Sequence, residues 1–221
     1  MGSLAKEPSR TGSKARRPST TIAERIVAAA RAHFFAHGFR GVTMDDLAAE
    51  LGMSKKTLYA QFPRKTELLR AVLLAKIRSV ETDLDAVFAS SNDASAALHQ
   101  LLACMQRHTE EIQPPFVRDM RRETPELFEL VEERRRDLIQ RYFGRIFDQG
   151  RRVGIIRKDV STQLIVEILL GAVQAVMNPT KIEQLGLEPK TGYGAIISVI
   201  LDGVMTHKGR SKSADWVRRS R

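Results

Sequence analysis

The chain has 221 residues, a formal net charge of +10 and a pI near 10.1, with 43% hydrophobic, 6% aromatic and 28% charged residues. This suits one compact unit or two closely joined ones with a buried core, and excludes fibrous, collagenous and disulfide-framework classes. The single cysteine, Cys104, leaves no internal disulfide and no Cys-rich zinc site, which fits a reducing cytoplasm.

The positive charge is concentrated at the two ends. Residues 1–70 hold 13 Lys/Arg against 6 Asp/Glu, residues 71–207 hold 17 against 19, and residues 208–221 hold 6 against 1. Residues 1–20, "MGSLAKEPSRTGSKARRPST", combine Pro, Ser, Gly and five basic residues with few apolar ones, and predict a disordered basic arm with no secretory signal. Ile22, Ile26, Ala30 and Phe34 then recur at helical spacing, widened by Val27 and Phe35, and Gly38 is expected to stop this first helix in a left-handed conformation.

In "TMDDLAAELGMS", Thr43 and Asp46 form a capping-box pattern that starts a second helix near Met44. Gly52 ends that helix and Ser54 caps a third, so two short helices meet across a few residues of turn. Ala48 and Gly52 are small enough for a close crossing, and Leu47, Leu51, Met53 and Leu58 supply a small core. Lys55, Lys56, Thr57 and Tyr59 are left outside it, on a helix whose amino end suits phosphates and base edges of a major groove. Taken singly, such lysines suit a solvated face equally well.

The run "AERIVAAARAHFFAHGFRGVTMDDLAAELGMSKKTLYAQFPRKTELL" resembles the DNA-binding domain of TetR-family transcriptional regulators over about fifty residues. The distinguishing pieces are "FFAHGF", the T-x-x-x-L-A entry to the second helix, the turn "GMS", and "TLYAQFPRKTELL". The resemblance implies an all-α protein, with an amino-terminal three-helix, helix-turn-helix head over 21–68 and a larger helical ligand-binding and dimerisation domain over 69–206. A basic tail over 207–221 completes the expected organisation. It further implies that Thr43 and Tyr59 touch the sugar-phosphate backbone and that Lys65 pins a phosphate. Lys55, Lys56 and Thr57, with Ser54 at the start of the same helix, would face bases or phosphates. Lys56 departs from the family pattern, where this position is often small.

Beyond Pro63 the apolar spacing stays helical, with boundaries at "SSND", "QPP", "ETPE", "GRRVG" and "MNPTKIEQLGLEPKTGYG". Family membership implies a homodimer on a palindromic operator in double-stranded DNA. The two most apolar helices offer Leu164, Ile168 and Val173, and Ile197, Ile200, Leu201 and Val204, as its interface; the same richness also suits the monomer's own core. The segment from "RRETPELF" to "RKDVS" resembles, less specifically, the regulatory half of AcrR-like relatives. Within an effector-responsive body over residues 71–160, an unidentified, largely apolar small-molecule effector would meet Met105, Phe116, Met120, Phe128, Tyr142, Phe143 and Phe147, with a tyrosine phenol as polar handle; taken singly, each suits a core position better than a pocket wall.

The resemblance makes a repressor released from its operator by that effector the leading expectation, with a DNA-binding regulator or architectural protein lacking a small-molecule ligand as the alternative. An enzyme is not expected. His33 and His37 stand four apart without the Glu of a zinc-protease motif, Cys104 has no evident base nearby in sequence, and there is no nucleotide-binding or nucleophile motif. No cofactor, metal or membrane is therefore invoked.

Overall fold

The computed structural model describes residues 21–91, 93–187 and 189–210; the predicted basic arm, and most of the predicted tail, lie outside them. The described residues fold into ten α-helices and no strand. The helices are α1 (Ile22–His37), α2 (Met44–Glu50), α3 (Lys55–Gln61), α4 (Lys65–Ser90), α5 (Ala94–Glu110), α6 (Pro114–Glu123), α7 (Pro125–Arg152), α8 (Thr162–Val176), α9 (Pro179–Leu185) and α10 (Pro189–Val204). None is long and apolar enough to cross a membrane.

Capping residues define the head. Thr21 with Glu24, and Thr43 with Asp46, close reciprocal capping boxes at α1 and α2, and the Ser54 hydroxyl accepts the Thr57 backbone N–H to start α3. After α2 the chain turns in a Schellman motif: Gly52 at φ 61° donates to the Ala49 carbonyl, and Met53 donates to the Ala48 carbonyl. Gly38 does terminate α1, but at φ 84° and ψ 164° it is extended rather than left-handed helical, because the chain leaves straight toward Phe39 and Val42. Ile26, Phe34, Leu47, Ala48, Leu58 and Leu68 bury themselves together, with Leu51, Met53 and Phe62 half-buried against them.

The 26-residue α4, about 39 Å long at 1.5 Å per residue, joins head to body. Its first turns place Leu69, Val72 and Leu73 in the head core, while Leu84 belongs to the body core. The head core also takes Phe116 and Met120 from α6, so the head does not end where its own helices do.

The body core is built from α4, α5, α7, α8 and α10 around Leu101, Tyr142, Phe143, Ile146, Phe147, Ile165 and Leu169. Two features here depart from expectation. The connection between the two apolar helices contains α9, started by Asn178, whose side chain accepts the Lys181 N–H, and stopped by Gly186 in the left-handed conformation. Residues 207–210 are helical and belong to the body rather than to a loose tail. Thr206 donates its N–H to the Ile155 carbonyl, Ile156 bridges Met205, and Gly209 packs so closely on the Ile155 carbonyl that a side chain there would collide with it.

Candidate nucleic-acid interface and regulatory cavity

The α2–turn–α3 unit turns the apolar side of α3 inward through Leu58 and leaves Lys55, Lys56 and Tyr59 exposed; Tyr59 retains 43% of its surface, high for an aromatic residue. Lys55 is steadied by the Asp45 carboxylate on α2, 2.5 Å away, which raises its pKa. Ser54 and Thr57 spend their polar atoms on the cap, with their hydroxyls 2.9 Å apart, and Thr43 spends its hydroxyl on Asp46. These three residues therefore fix the helix starts.

Lys65 opens α4 and is half-buried, its ammonium 4.3 Å from the centroid of the Phe39 ring; burial holds its pKa below the ordinary range, opposed by Asp119. The residue before it, Arg64, is exposed and gives α4 no side-chain cap, so unshared backbone N–H groups and a second cation accompany Lys65. Arg64 was not among the residues expected from sequence, and a free helix start beside a lysine is the signal that would have found it.

His33 is engaged by a carboxylate. Its ring meets the Glu50 carboxylate and ties α1 to α2, with the two imidazole centroids 5.8 Å apart.

Between head and body lies a cavity of about 630 Å³. Of the candidate effector residues, Met105, Phe116, Met120, Phe128, Tyr142 and Phe143 line it; Phe147 does not, being fully enclosed in the body core against Phe143. The Tyr142 ring faces the cavity, but its hydroxyl is not a free handle: it donates to Asp85 at 2.7 Å, and burial together with that carboxylate pushes the phenol up to about 12. The polar lining comes instead from charged residues that hydrophobic periodicity hid, including Lys76, His108, Arg121 and Arg135.

Lys76 and His108 belong to a chain of contacts that reaches the head. Asp83 meets His108 Nε2 at 2.9 Å, His108 Nδ1 lies 2.8 Å from the Lys76 ammonium, and Lys76 touches Glu111. Glu111 in turn receives Arg31 of α1 through both Nε and Nη2, at 3.1 and 2.7 Å. Burial, with Arg31 adding like-charge repulsion, pushes Lys76 down to about 7, and burial likewise lowers His108. The structure thus brings a base to Cys104, since its sulfur, Asp83 and His108 have ligand atoms within 4.8 Å of one another. Both His108 ring nitrogens are already engaged, however, and burial raises the Cys104 thiol, which disfavours its thiolate.

A second link runs through α6. The Asp119 carboxylate accepts the Arg40 N–H at 2.9 Å and presses against Gly38, while Gln113 donates its N–H to the Phe35 carbonyl at 3.0 Å.

The predicted dimer residues divide. Leu164 and Ile168 keep 52% and 50% of their surface, but Val173, Leu201 and Val204 are buried within the body, and Ile197 and Ile200 are half-buried against it. The outward residue of α10 is Val199, 73% exposed. An all-round apolar helix shows its richness in sequence but not which side faces inward.

An exposed cationic helix in a tight helix-turn-helix, mounted on a larger helical body with a cavity at the junction, defines a helix-turn-helix regulator architecture. Residues 26–72 match the family model described as bacterial regulatory proteins, tetR family. A curated relative, an uncharacterized HTH-type transcriptional regulator, YvaF, of Bacillus subtilis (strain 168), is 47% identical over 45 residues; the match covers 19% of this chain and 24% of that protein. The chain thus aligns with about a quarter of the curated relative's length.

Among solved structures, a transcriptional regulator from Cytophaga hutchinsonii shares the fold at a TM-score of 0.65 and 21% identity, over 83% of this chain and 98% of that one. A regulator from Saccharomonospora viridis in complex with choline matches at 0.67 and 18% identity, over 84% and 98%. A TetR-family regulator from Agrobacterium tumefaciens matches at 0.64 and 16% identity, over 83% and 97%. The family match thus lies in the helix-turn-helix head, residues 26–72, and the likeness to these solved structures extends the shared fold over the helical body.

Proposed function

We propose that the protein is a homodimeric repressor that binds a palindromic operator through two copies of α3 and leaves it when a small molecule occupies the body cavity. The observation that carries this reading is that Phe116 and Met120 belong to the head core and to the cavity wall at once. An occupant that moves α6 therefore repacks the head, and a packed core responds by shifting between discrete arrangements rather than by yielding gradually. The choline held by the Saccharomonospora viridis protein supports a body of this fold that takes small ligands.

Two-fold pairing is supported by Leu164, Ile168 and Val199, apolar side chains left exposed on α8 and α10, which pack against each other in the body. Adjoining Gly171, Gly194 and Ala195 leave room for close approach of a partner's helices.

In this reading Tyr59, Lys65 and Thr43 hold the sugar-phosphate backbone, and Lys55, Lys56 and Thr57 face bases. Tyr59→Ala and Lys65→Ala should weaken binding to operator and random DNA alike, by about 1 kcal/mol or more each, whereas Lys55→Ala and Thr57→Ala should narrow the ratio between the two. Titration of fluorescent duplexes at fixed salt reads both. Equal losses on both DNAs for all four variants would defeat this division of roles.

A further inference from the structure

Four cationic side chains, Lys76, Arg118, Arg121 and Arg135, line the cavity against two carboxylates, Glu132 and Glu183. Two of the four are matched: Lys76 meets Glu111, and Arg135 meets Glu132. Arg118 and Arg121 have no carboxylate partner among the described residues. Three apart on α6, they share one face, and both are exposed, which sets them at the cavity mouth. The Arg121 guanidinium lies 4.7 Å from the centroid of the Phe128 ring, an arrangement that fixes its position while leaving its N–H fork unspent.

Further in, the Arg135 Nε–H is shielded from water and has no acceptor, although Nη1 donates to the Tyr193 hydroxyl at 3.3 Å. The remaining wall is largely aliphatic and aromatic, running inward past Phe128 and Ile139 to Leu101 and Leu169.

A guanidinium does not shed its charge, so the mouth of this apolar cavity stays positive at any physiological pH. Such a site repels cations, gives a neutral chain only its hydrophobic energy, and offers a carboxylate two forked donors. We propose that the effector is an amphipathic anion, with its apolar body inside the cavity and a single carboxylate-type head held between Arg118 and Arg121. This rests on the reading of the cavity as the effector site and adds the class of molecule. It also gives the head group a purchase on α6, the helix whose Asp119 holds the loop at Gly38 and Arg40.

The test compares dodecanoate, dodecanol and dodecyltrimethylammonium on the full chain, below their micelle concentrations. Displacement of a neutral apolar dye, N-phenyl-1-naphthylamine, is the readout, with release of bound DNA followed in parallel. Dodecanoate should bind about tenfold or more tighter than dodecanol, with the quaternary ammonium weakest, and Arg118→Gln/Arg121→Gln should collapse the dodecanoate advantage. Equal or tighter binding of dodecanol or of the ammonium overturns the anion class while leaving an effector cavity standing if DNA is still released. A dodecanoate advantage that survives the double substitution overturns the assignment to these arginines. Failure of all three chains and of the dye to bind overturns the effector reading as well.

Discussion

Gly38 and Asp119, 81 positions apart, meet closely where α6 packs against the head. A Cβ on Gly38 would lie 2.6 Å from the Asp119 Oδ2, and the backbone there already has φ +84°. Gly38→Ala should therefore cost about 1–3 kcal/mol through backbone strain and displacement of the carboxylate. In thermal unfolding, Asp119→Ala introduced with it should lose less than the two single losses added together, because the clash disappears with the carboxylate. Strict additivity would show that the two residues do not act on each other. Only half of this contact was legible in the sequence. Gly38 announces a helix stop by its position after "FFAH", but nothing local to "VRDMRRE" marks Asp119 as its neighbour. The same limit hid Arg121 and Arg135, whose sequence neighbours give no sign that folding sets them on a cavity wall.

The starts of α2 and α3 were readable from their caps, since Thr43 and Ser54 each accept the N–H three residues on. The seven-residue α9 went unread because two turns carry little periodicity, and its bounding Pro179 and Gly186 look like loop punctuation. In α10 the difficulty was the reverse: apolar residues lie all around it, so Leu201 and Val204 could not be told from an outward face that is in fact Val199. If the proposed pairing holds, Leu164→Glu with Ile168→Glu should convert dimer to monomer in sedimentation and lower operator affinity by more than about tenfold, since a lone head gives up half of the phosphate contacts. An unchanged sedimentation coefficient at micromolar concentration would remove this face from the interface. Val173→Glu, by contrast, places a charge in the body core and is expected to impair folding.

At the scale of the molecule, α4 and α6 turn two cores into one mechanical system. Leu73 and Leu84 of a single helix sit in different cores, and Phe116 and Met120 close the head while walling the cavity. Arg31, Glu111, Lys76 and His108 add a polar route from α1 to that same wall. The head was legible because its helix-turn-helix is local, complete within fifty residues and dense in caps and small turn residues. The cavity was legible only as a set of apolar candidates, because its shape arises where helices distant in sequence fail to fill the space between them.

Coupling between cavity and operator matters only if two heads read DNA together, which makes dimeric readout the central claim. Selection of bound duplexes from a random pool by the purified chain tests it most directly. The expected result is an inverted repeat whose half-site centres lie about one helical turn, or a multiple of it, apart. Enrichment of a single unpaired half-site, or no enrichment over the starting pool at physiological salt, would contradict it.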